Sequence, residues 1–194
     1  IRTYYVEKFF MTNNDILRRA RYIFDFNDNK MVALFGLAGC EVTREQISAW
    51  LKKDDHDDYK SCSDTLMATF LNGLIVDKRG KRDGDQPVPE KKLNNNIIFM
   101  KLKIALNMKA EDVLQTLSLA GFRLSKHELS AFFRKADHKH FRVCKDQVLR
   151  NFLQGLQIEL RKDEELKRCA PPANVFGAVD LYHLPSTRRE PAGG

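Results

Sequence analysis

The sequence predicts an all-α protein made of two tandem, similar four-helix modules, each containing a helix-turn-helix-like pair of helices. Residues 13–74 align with residues 95–156 at a constant offset of 82 and without a gap, and 17 of the 62 aligned pairs are identical. Apolar residues in both copies recur at the three- and four-residue spacing of amphipathic helices. Neither copy has the sustained alternation of apolar and polar residues that predicts a strand.

The identical pairs form short clusters that shared helical periodicity alone does not produce. They include Asn13-Asn14 with Asn95-Asn96, Leu37-Ala38-Gly39 with Leu119-Ala120-Gly121, Asp55-His56 with Asp137-His138, and Cys62 and Asp64 with Cys144 and Asp146. A repeat of this length predicts that the two copies fold alike.

In each copy, polar residues mark the start of the first helix and a glycine marks the end of the second helix. We expect the Asn pairs 13–14 and 95–96 to cap the first helix, because Asn is a preferred N-cap residue. The second helix should end at Gly39 and at Gly121, where a glycine directly follows the last apolar positions.

The third helix of each copy begins with a capping box. Thr43 is followed by Gln46, and Ser125 is followed by Glu128, so each side chain can satisfy the other residue's backbone amide. The fourth helix is predicted from about Ser63 to residue 76 and from about residue 145 to residue 160, with a charged continuation to about residue 168.

These elements divide the chain into five segments. We predict an N-terminal extension at 1–10, a first repeat at 11–76, a basic Pro/Gly linker at 77–93, a second repeat at 94–161 and a poorly ordered tail at 162–194. The linker contains KRGKRDGDQPVPEKK, a composition typical of exposed segments. Aromatic residues at helix-core spacing are predicted to be core: Phe24, Phe35, Trp50, Phe70, Phe99, Phe132, Phe133 and Phe152.

Composition argues against a membrane or secreted protein. The chain has a mean hydropathy of −0.46, and no apolar run approaches the roughly 20 residues that span a bilayer. Residues 1–10 do not resemble a signal peptide. None of the four cysteines forms a CxxC pair, and Cys62 and Cys144 occupy equivalent positions, as packing residues would. We therefore predict a cytoplasmic location with no membrane association.

Several motifs together resemble a known family. They are NNDILRR (13–19), VTREQISAWLKK (42–53), CSDTLMATFLNGLIVDKRGKR (62–82), LNNNII (93–98) and LAGFRLSKHELSAFFRK (119–135). They are similar to the YehS-like bacterial proteins, a tandem domain of unknown function numbered 1456, over about residues 11–161. The resemblance implies a small cytoplasmic bacterial protein, but it supplies no activity, because the family has none established.

Charge differs sharply between the copies and suggests nucleic-acid binding. Residues 13–74 carry 8 Lys/Arg against 10 Asp/Glu, a net charge of −2, whereas residues 95–156 carry 11 against 5, a net charge of +6. Basic clusters bind nucleic acid by neutralising phosphates. The candidate residues of the third helix, its following turn and the linker are Lys126, Arg134, Lys135, Lys139, Arg142, Lys78, Arg79, Lys81 and Arg82.

Metal binding and catalysis receive less support. His56 and Cys62 are types of zinc ligand, but each copy has one such Cys and one such His at helix-end spacing. Asp64 and Asp146 suit the first turn of a helix, where acidic groups stabilise the helix dipole. We find no Walker, GxSxG or HExxH motif. The sequence therefore predicts no catalytic residue, metal or cofactor.

The leading prediction is a non-enzymatic cytoplasmic protein that binds nucleic acid, or acts as a regulator, through its basic second repeat. The alternative is a protein–protein adaptor that clamps a partner helix without nucleic acid. A third possibility is an ordinary helical hairpin with solvated charged faces. The sequence leaves the oligomeric state open.

Overall fold

A computed structural model of the chain describes residues 10–169, with the side chains of residues 10–161. In this range the secondary structure is entirely helical: α1 (Asn13–Ile23), α2 (Asp28–Leu37), α3 (Arg44–Leu51), α4 (Asp64–Arg79), α5 (Asn95–Ala105), α6 (Ala110–Leu119), α7 (Lys126–Phe132) and α8 (Asp146–Cys169). The predicted all-α fold with four helices in each of two similar repeats is confirmed.

Helices α4 and α8 both extend beyond the segments assigned to the two repeats. Helix α4 continues to Arg79 and ends at Gly80, whose φ of 83° terminates it, so the linker begins at residue 80 and not at residue 77. Helix α8 continues to Cys169, in agreement with the charged continuation predicted to about residue 168, so residues 162–169 of the segment assigned to the tail are helical. Residues 1–9 of the predicted extension and 170–194 of the tail lie outside the described residues.

The helix termini confirm the predicted capping boxes and the predicted glycines at the ends of α2 and α6. Thr43 with Gln46 and Ser125 with Glu128 form reciprocal capping boxes. Gly39 and Gly121, just past α2 and α6, have φ values of 77° and 73°, which glycine adopts without strain. The predicted capping by the Asn pairs is wrong: the N-caps of α1 and α5 are Thr12 and Asn94.

The second Asn of each pair instead holds the long loop that follows the third helix. The buried Asn14 amide donates to the carbonyl oxygens of Trp50 and Lys60, at 2.8 Å each, and its oxygen accepts from the Cys62 amide at 2.9 Å. Asn96 makes the same three bonds in repeat two, to Phe132, Arg142 and Cys144. Both ends of each loop are therefore fixed to the first helix of its repeat.

Two aspartates join the repeats to each other. The Asp64 carboxylate accepts from the Asn13 amide at 2.8 Å and from the Leu93 backbone amide at 2.9 Å. Asp146 accepts from the Asn95 amide at 2.6 Å and from the Met11 backbone amide at 2.9 Å. Each carboxylate thus binds the start of its own repeat and the residue that leads into the other.

These bonds are equivalent in the two repeats, which are therefore related by pseudo-two-fold symmetry. Helix α4 packs against α5, and α8 packs against α1, so the fourth helix of each repeat contacts the first helix of the other. Because Asp64 and Asp146 contact the starts of α1 and α5, all four central helices begin at the same end of the molecule. Their dipoles place partial positive charge at this end, and the two carboxylates offset it.

The second and third helices of each repeat flank this central group. Helix α2 packs on α4 and α3, while α6 packs on α8 and α7. Gly73 and Gly155 occupy equivalent positions where the fourth helix crosses the second. A Cβ atom at Gly73 would lie 1.8 Å from the Leu34 carbonyl oxygen, and one at Gly155 would lie 1.9 Å from the Thr116 carbonyl oxygen. Only glycine permits this approach.

The aromatic residues predicted as core lie inside the helices' common interior. Phe35 contacts Trp50 and Phe70 in repeat one, with ring centroids 5.4 and 5.8 Å apart. In repeat two, Phe99 contacts Phe152 at 4.6 Å. Phe24 and Phe133 are half-buried against this core. The aromatic rings are therefore packing groups, as predicted.

We expect Gly73→Ala and Gly155→Ala to destabilise the protein, because the added methyl group must push the crossing helices apart at a cost of about 1–3 kcal/mol or more. Gly36→Ala is the matched control, since its Cβ would meet nothing within 4 Å and should stabilise α2 by about 0.5–1 kcal/mol. Urea unfolding followed by circular dichroism measures all three. A Gly73→Ala midpoint equal to the wild-type value would contradict the close crossing.

Asp64→Asn and Asp146→Asn should each lower the free energy of unfolding by about 1–3 kcal/mol, because an amide nitrogen cannot accept a hydrogen bond and one buried donor loses its partner. Asp83→Asn, in the exposed linker, is the control for a change of charge alone. The same urea titration applies. If Asp64→Asn and Asp83→Asn unfold at the same midpoint, the inter-repeat bonds contribute nothing measurable.

Candidate nucleic-acid interface

A groove in repeat two lies between α7 and the loop that follows it. The loop folds back because the Arg142 amide donates to the Ala131 carbonyl at 3.1 Å and the Phe141 amide donates to the His138 carbonyl at 2.8 Å. The resulting groove has a volume of about 200 Å³. Its lining residues are His127, Glu128, Ala131, Lys139, His140, Phe141 and Arg142. We call it the α7 groove.

Repeat one contains the equivalent groove beside α3. Its lining residues are Asp28, Arg44, Glu45, Ser48, Ala49, Lys52, Asp57, Asp58, Tyr59 and Lys60. We call it the α3 groove. The same loop bonds form it, since the Lys60 amide donates to the Ala49 carbonyl at 3.1 Å and the Tyr59 amide donates to the His56 carbonyl at 2.9 Å. The backbone frame of the two grooves is therefore shared.

Four acidic positions of the α3 groove are basic or neutral in repeat two, whereas the uncharged Gln46 corresponds to the acidic Glu128, which lines the α7 groove. Glu45, Asp57 and Asp58 of the α3 groove correspond to His127, Lys139 and His140 of the α7 groove, and Asp28 corresponds to Ala110. All four acidic side chains of the first groove are thus replaced by basic or neutral ones.

The cations of the α3 groove, in contrast, have basic counterparts: Arg44, Lys52 and Lys60 correspond to Lys126, Arg134 and Arg142, of which Arg142 lines the α7 groove. In repeat one Lys52 is paired with Asp58 at 2.5 Å. The equivalent Arg134 faces no such acid, because position 140 is a histidine. The α3 groove is therefore lined by four acids beside its three cations, whereas the α7 groove is lined by one acid, Glu128, beside Lys139 and Arg142.

The nine residues predicted to bind nucleic acid fall into two groups. Lys139 and Arg142 line the α7 groove, and Lys126 lies at the start of α7, where it pairs with Glu111 at 2.6 Å. Arg134 and Lys135 were expected on the third helix, but α7 ends at Phe132. They lie in the following turn, because the Phe133 cap closes the helix one turn early.

The second group lies at the other end of α5. Lys78 and Arg79 end α4, and Lys81 and Arg82 follow in the linker; Lys78 also lies over the Phe24 ring, 5.9 Å from its centroid. Helix α4 runs parallel to α5, whereas the α7 loop is held at the start of α5 by Asn96. The two groups are thus separated by about the length of α5, roughly 16 Å for its 11 residues.

Of the two histidines that line the α7 groove, His127 was predicted only as an exposed position of the third helix in the helix-turn-helix interpretation, and His140 was not selected. A signal for them exists in the sequence. At the repeat offset, each stands where repeat one has an acid, so a position-by-position comparison of charge would have identified them.

Comparisons with known proteins agree with the resemblance seen in the motifs. The model of a family described as a protein of unknown function (DUF1456) matches residues 13–80 and 95–162. The chain belongs to this family. Both matches begin at the first residue of a repeat's first helix. The chain is also 46% identical over 147 residues to the uncharacterized protein YehS of Escherichia coli strain K12, covering 75% of this chain and 94% of that protein. No solved structure is significantly similar to the chain.

The Asp-His and Cys-x-Asp motifs of this family member have structural roles. Cys62 and Cys144 are 3% and 1% exposed, and burial, followed by the nearby negative charge of Asp64 or Asp146, raises the pKa of each thiol to about 12. His56 and His138 are exposed turn residues whose Nδ1 atoms accept backbone amides at 3.1 Å.

The acidic residues of the Cys-x-Asp motifs also have structural partners. Among the described residues no three His, Cys, Asp or Glu side chains are placed to share a metal ion. The Asp64 and Asp146 carboxylates are already used by the inter-repeat hydrogen bonds. Likewise, no helix in the described part of the chain is both long and apolar enough to cross a membrane.

Cys62 and Cys144 should resist alkylation in the folded protein, because the thiolate is the reactive species and both thiols have a raised pKa. In a Cys169→Ser variant we expect iodoacetamide to modify the half-buried Cys40 first. Cys62 and Cys144 should react at least roughly 100-fold more slowly, through local unfolding. Intact mass spectrometry over time measures this, and rapid labelling of Cys62 or Cys144 would show an accessible thiol.

Proposed function

We propose that the protein binds nucleic acid through the α7 groove, as a non-enzymatic protein of the cytoplasm. The observation that carries the proposal is the reversal of charge between two grooves of the same backbone frame. With histidine counted as neutral, the changes at positions 127, 139 and 140 account for four of the eight units by which the net charges of the two repeats differ, and all three residues line one groove.

The placement of the cations suits contacts with phosphates. Lys139 and Arg142 are exposed on the loop, where each can neutralise a phosphate and release its counterion. Arginine also binds phosphate oxygens through two parallel N–H donors. Lys126 should contribute less, because its ammonium already pairs with Glu111. The proposed affinity therefore depends mainly on the loop and not on the start of α7.

The α6–α7 pair supports a finer version of the proposal, in which it acts as a helix-turn-helix-like element. The pair has two helices joined by a turn at Gly121, and α7 packs on α6 of its own repeat. The first residues of α7, including His127, are exposed. In helix-turn-helix proteins this end of the second helix contacts the bases. The free cysteines at positions 40, 62 and 144 support a reducing cytoplasmic location.

A charge-swap variant tests the proposal directly. The triple substitution His127→Glu, Lys139→Asp and His140→Asp gives the α7 groove the acids that the α3 groove carries, so the frame already accommodates these residues. Fluorescence anisotropy of labelled duplex DNA and single-stranded RNA, between about 50 and 200 mM salt, measures affinity and its salt dependence. We expect at least about tenfold weaker binding, with a salt slope lower by about 1 for each phosphate that is no longer neutralised.

Two controls distinguish the groove from general electrostatics. Lys81→Ala with Arg82→Ala removes two charges from the linker group. The reverse swap, Glu45→His with Asp57→Lys and Asp58→His, should increase affinity if the groove frame itself is the binding element. Absence of binding by the wild type at about 50 mM salt, or an unchanged slope in the charge-swap variant, contradicts the proposal. Partner capture that survives nuclease would favour the adaptor alternative.

A further inference from the structure

A cavity of about 350 Å³ lies between α4, α5 and the linker. Its wall is mostly apolar, and three of the apolar side chains are more than a third exposed: Leu37 at 43%, Met100 at 38% and Ile104 at 46%. Ile75, Val76 and Ile97 complete this wall. The volume lies in the range of small-molecule sites, and the position is the interface between the repeats.

The polar end of the cavity is formed by a buried lysine. Lys101 is 8% exposed, and its ammonium donates to the Asn72 side-chain oxygen at 2.5 Å and lies 3.0 Å from the Glu90 Oε1 atom. An ammonium has three N–H donors. Asn72 and Glu90 account for two of them, and the third has no acceptor among the described residues.

Glu90, in turn, has a carboxylate oxygen that accepts no hydrogen bond from residues 10–161. Its Oε2 atom is buried and has no hydrogen-bond donor among the described residues. Glu90 and Lys101 both line the cavity. The same end of the cavity therefore offers one unused donor and one unused acceptor, and leaving either unsatisfied costs free energy.

The pseudo-two-fold counterpart of this site has different chemistry. Ile97, Met100 and Ile104 of α5 correspond to Asp15, Arg18 and Tyr22 of α1. There Arg18 hydrogen-bonds Asp15, and the Arg161 guanidinium lies 4.3 Å from the Tyr22 ring centroid. The apolar lining is thus specific to the α4–α5 side and is not an automatic result of the duplication.

We propose that this cavity binds an uncharged amphiphile, a medium-chain amide or alcohol, with its head between Lys101 and Glu90. Such a head accepts from the free N–H of Lys101 and donates to the free oxygen of Glu90. A carboxylate head would meet the negative charge of Glu90, and an ammonium head would meet Lys101. At about 30 Å³ for each water-sized unit, the cavity of about 350 Å³ holds roughly twelve heavy atoms, with the chain against Met100 and Ile104.

Three probes of equal chain length test the head group on the full chain by isothermal titration calorimetry: octanamide, N,N-dimethyloctanamide and octanoate. We expect saturable binding of octanamide. Binding of the dimethyl amide, which has no donor, should be at least about fivefold weaker, a loss of about 1 kcal/mol. Octanoate that binds as tightly as octanamide would overturn the uncharged head, and would indicate that Arg82 at the rim selects an anion.

Variants test the location. Ile104→Tyr introduces into the cavity the residue that α1 carries at the equivalent position, so the fold accommodates it, and it should abolish octanamide binding. Leu119→Tyr is the matched control, because Leu119 is 42% exposed but lies on α6, outside the cavity. Met100→Arg, which copies the residue at position 18 of α1, is a second blocking variant. The absence of saturable octanamide binding, or equal binding by Ile104→Tyr and wild type, overturns the proposal without bearing on nucleic-acid binding.

Discussion

The fold depends on two carboxylates at the end of the molecule where four helices begin. Asp64 and Asp146 each accept one hydrogen bond from their own repeat and one from the backbone that leads into the other. Parallel helices with adjacent N-termini repel through their dipoles, and a negative charge at that point converts the repulsion into attraction. The position of these two side chains therefore fixes both the register of each repeat and the packing of one repeat on the other.

Sequence reasoning predicted the features whose partners are close in the chain. The capping boxes at Thr43 and Ser125 and the glycine ends of α2 and α6 were correct, because each signal and its partner lie within one helical turn. The roles of Asn14 and Asp64 were missed or incomplete because their partners lie far along the chain: Trp50 is 36 residues from Asn14, and Leu93 is 29 residues from Asp64. An Asn near a helix start is locally indistinguishable from a cap.

In the candidate sites, too, features set by nearby residues were predictable and features set by distant residues were not. Net charge located the basic repeat, and two of the residues selected from the sequence, Lys139 and Arg142, line the same groove. The sequence could not show that α7 ends at Phe132, which removes Arg134 and Lys135 from the helix face. Nor could it show that His127 and His140 line the same groove, because the folded loop brings together residues from different segments. The α4–α5 cavity was invisible for a similar reason, since its apolar residues have the same spacing as ordinary core positions.

Because the fourth helix of each repeat packs on the first helix of the other, the molecule has the architecture of a dimer whose subunits have been joined into one polypeptide. In a true dimer of identical subunits, every substitution appears twice and both halves must retain the same chemistry. Covalent duplication removes that constraint while the shared glycine crossings and aspartate bridges preserve the frame. One half can then keep balanced charges while the other becomes basic, and one interface can be polar while the other encloses an apolar cavity. The tandem arrangement therefore permits a division of labour that symmetry would forbid.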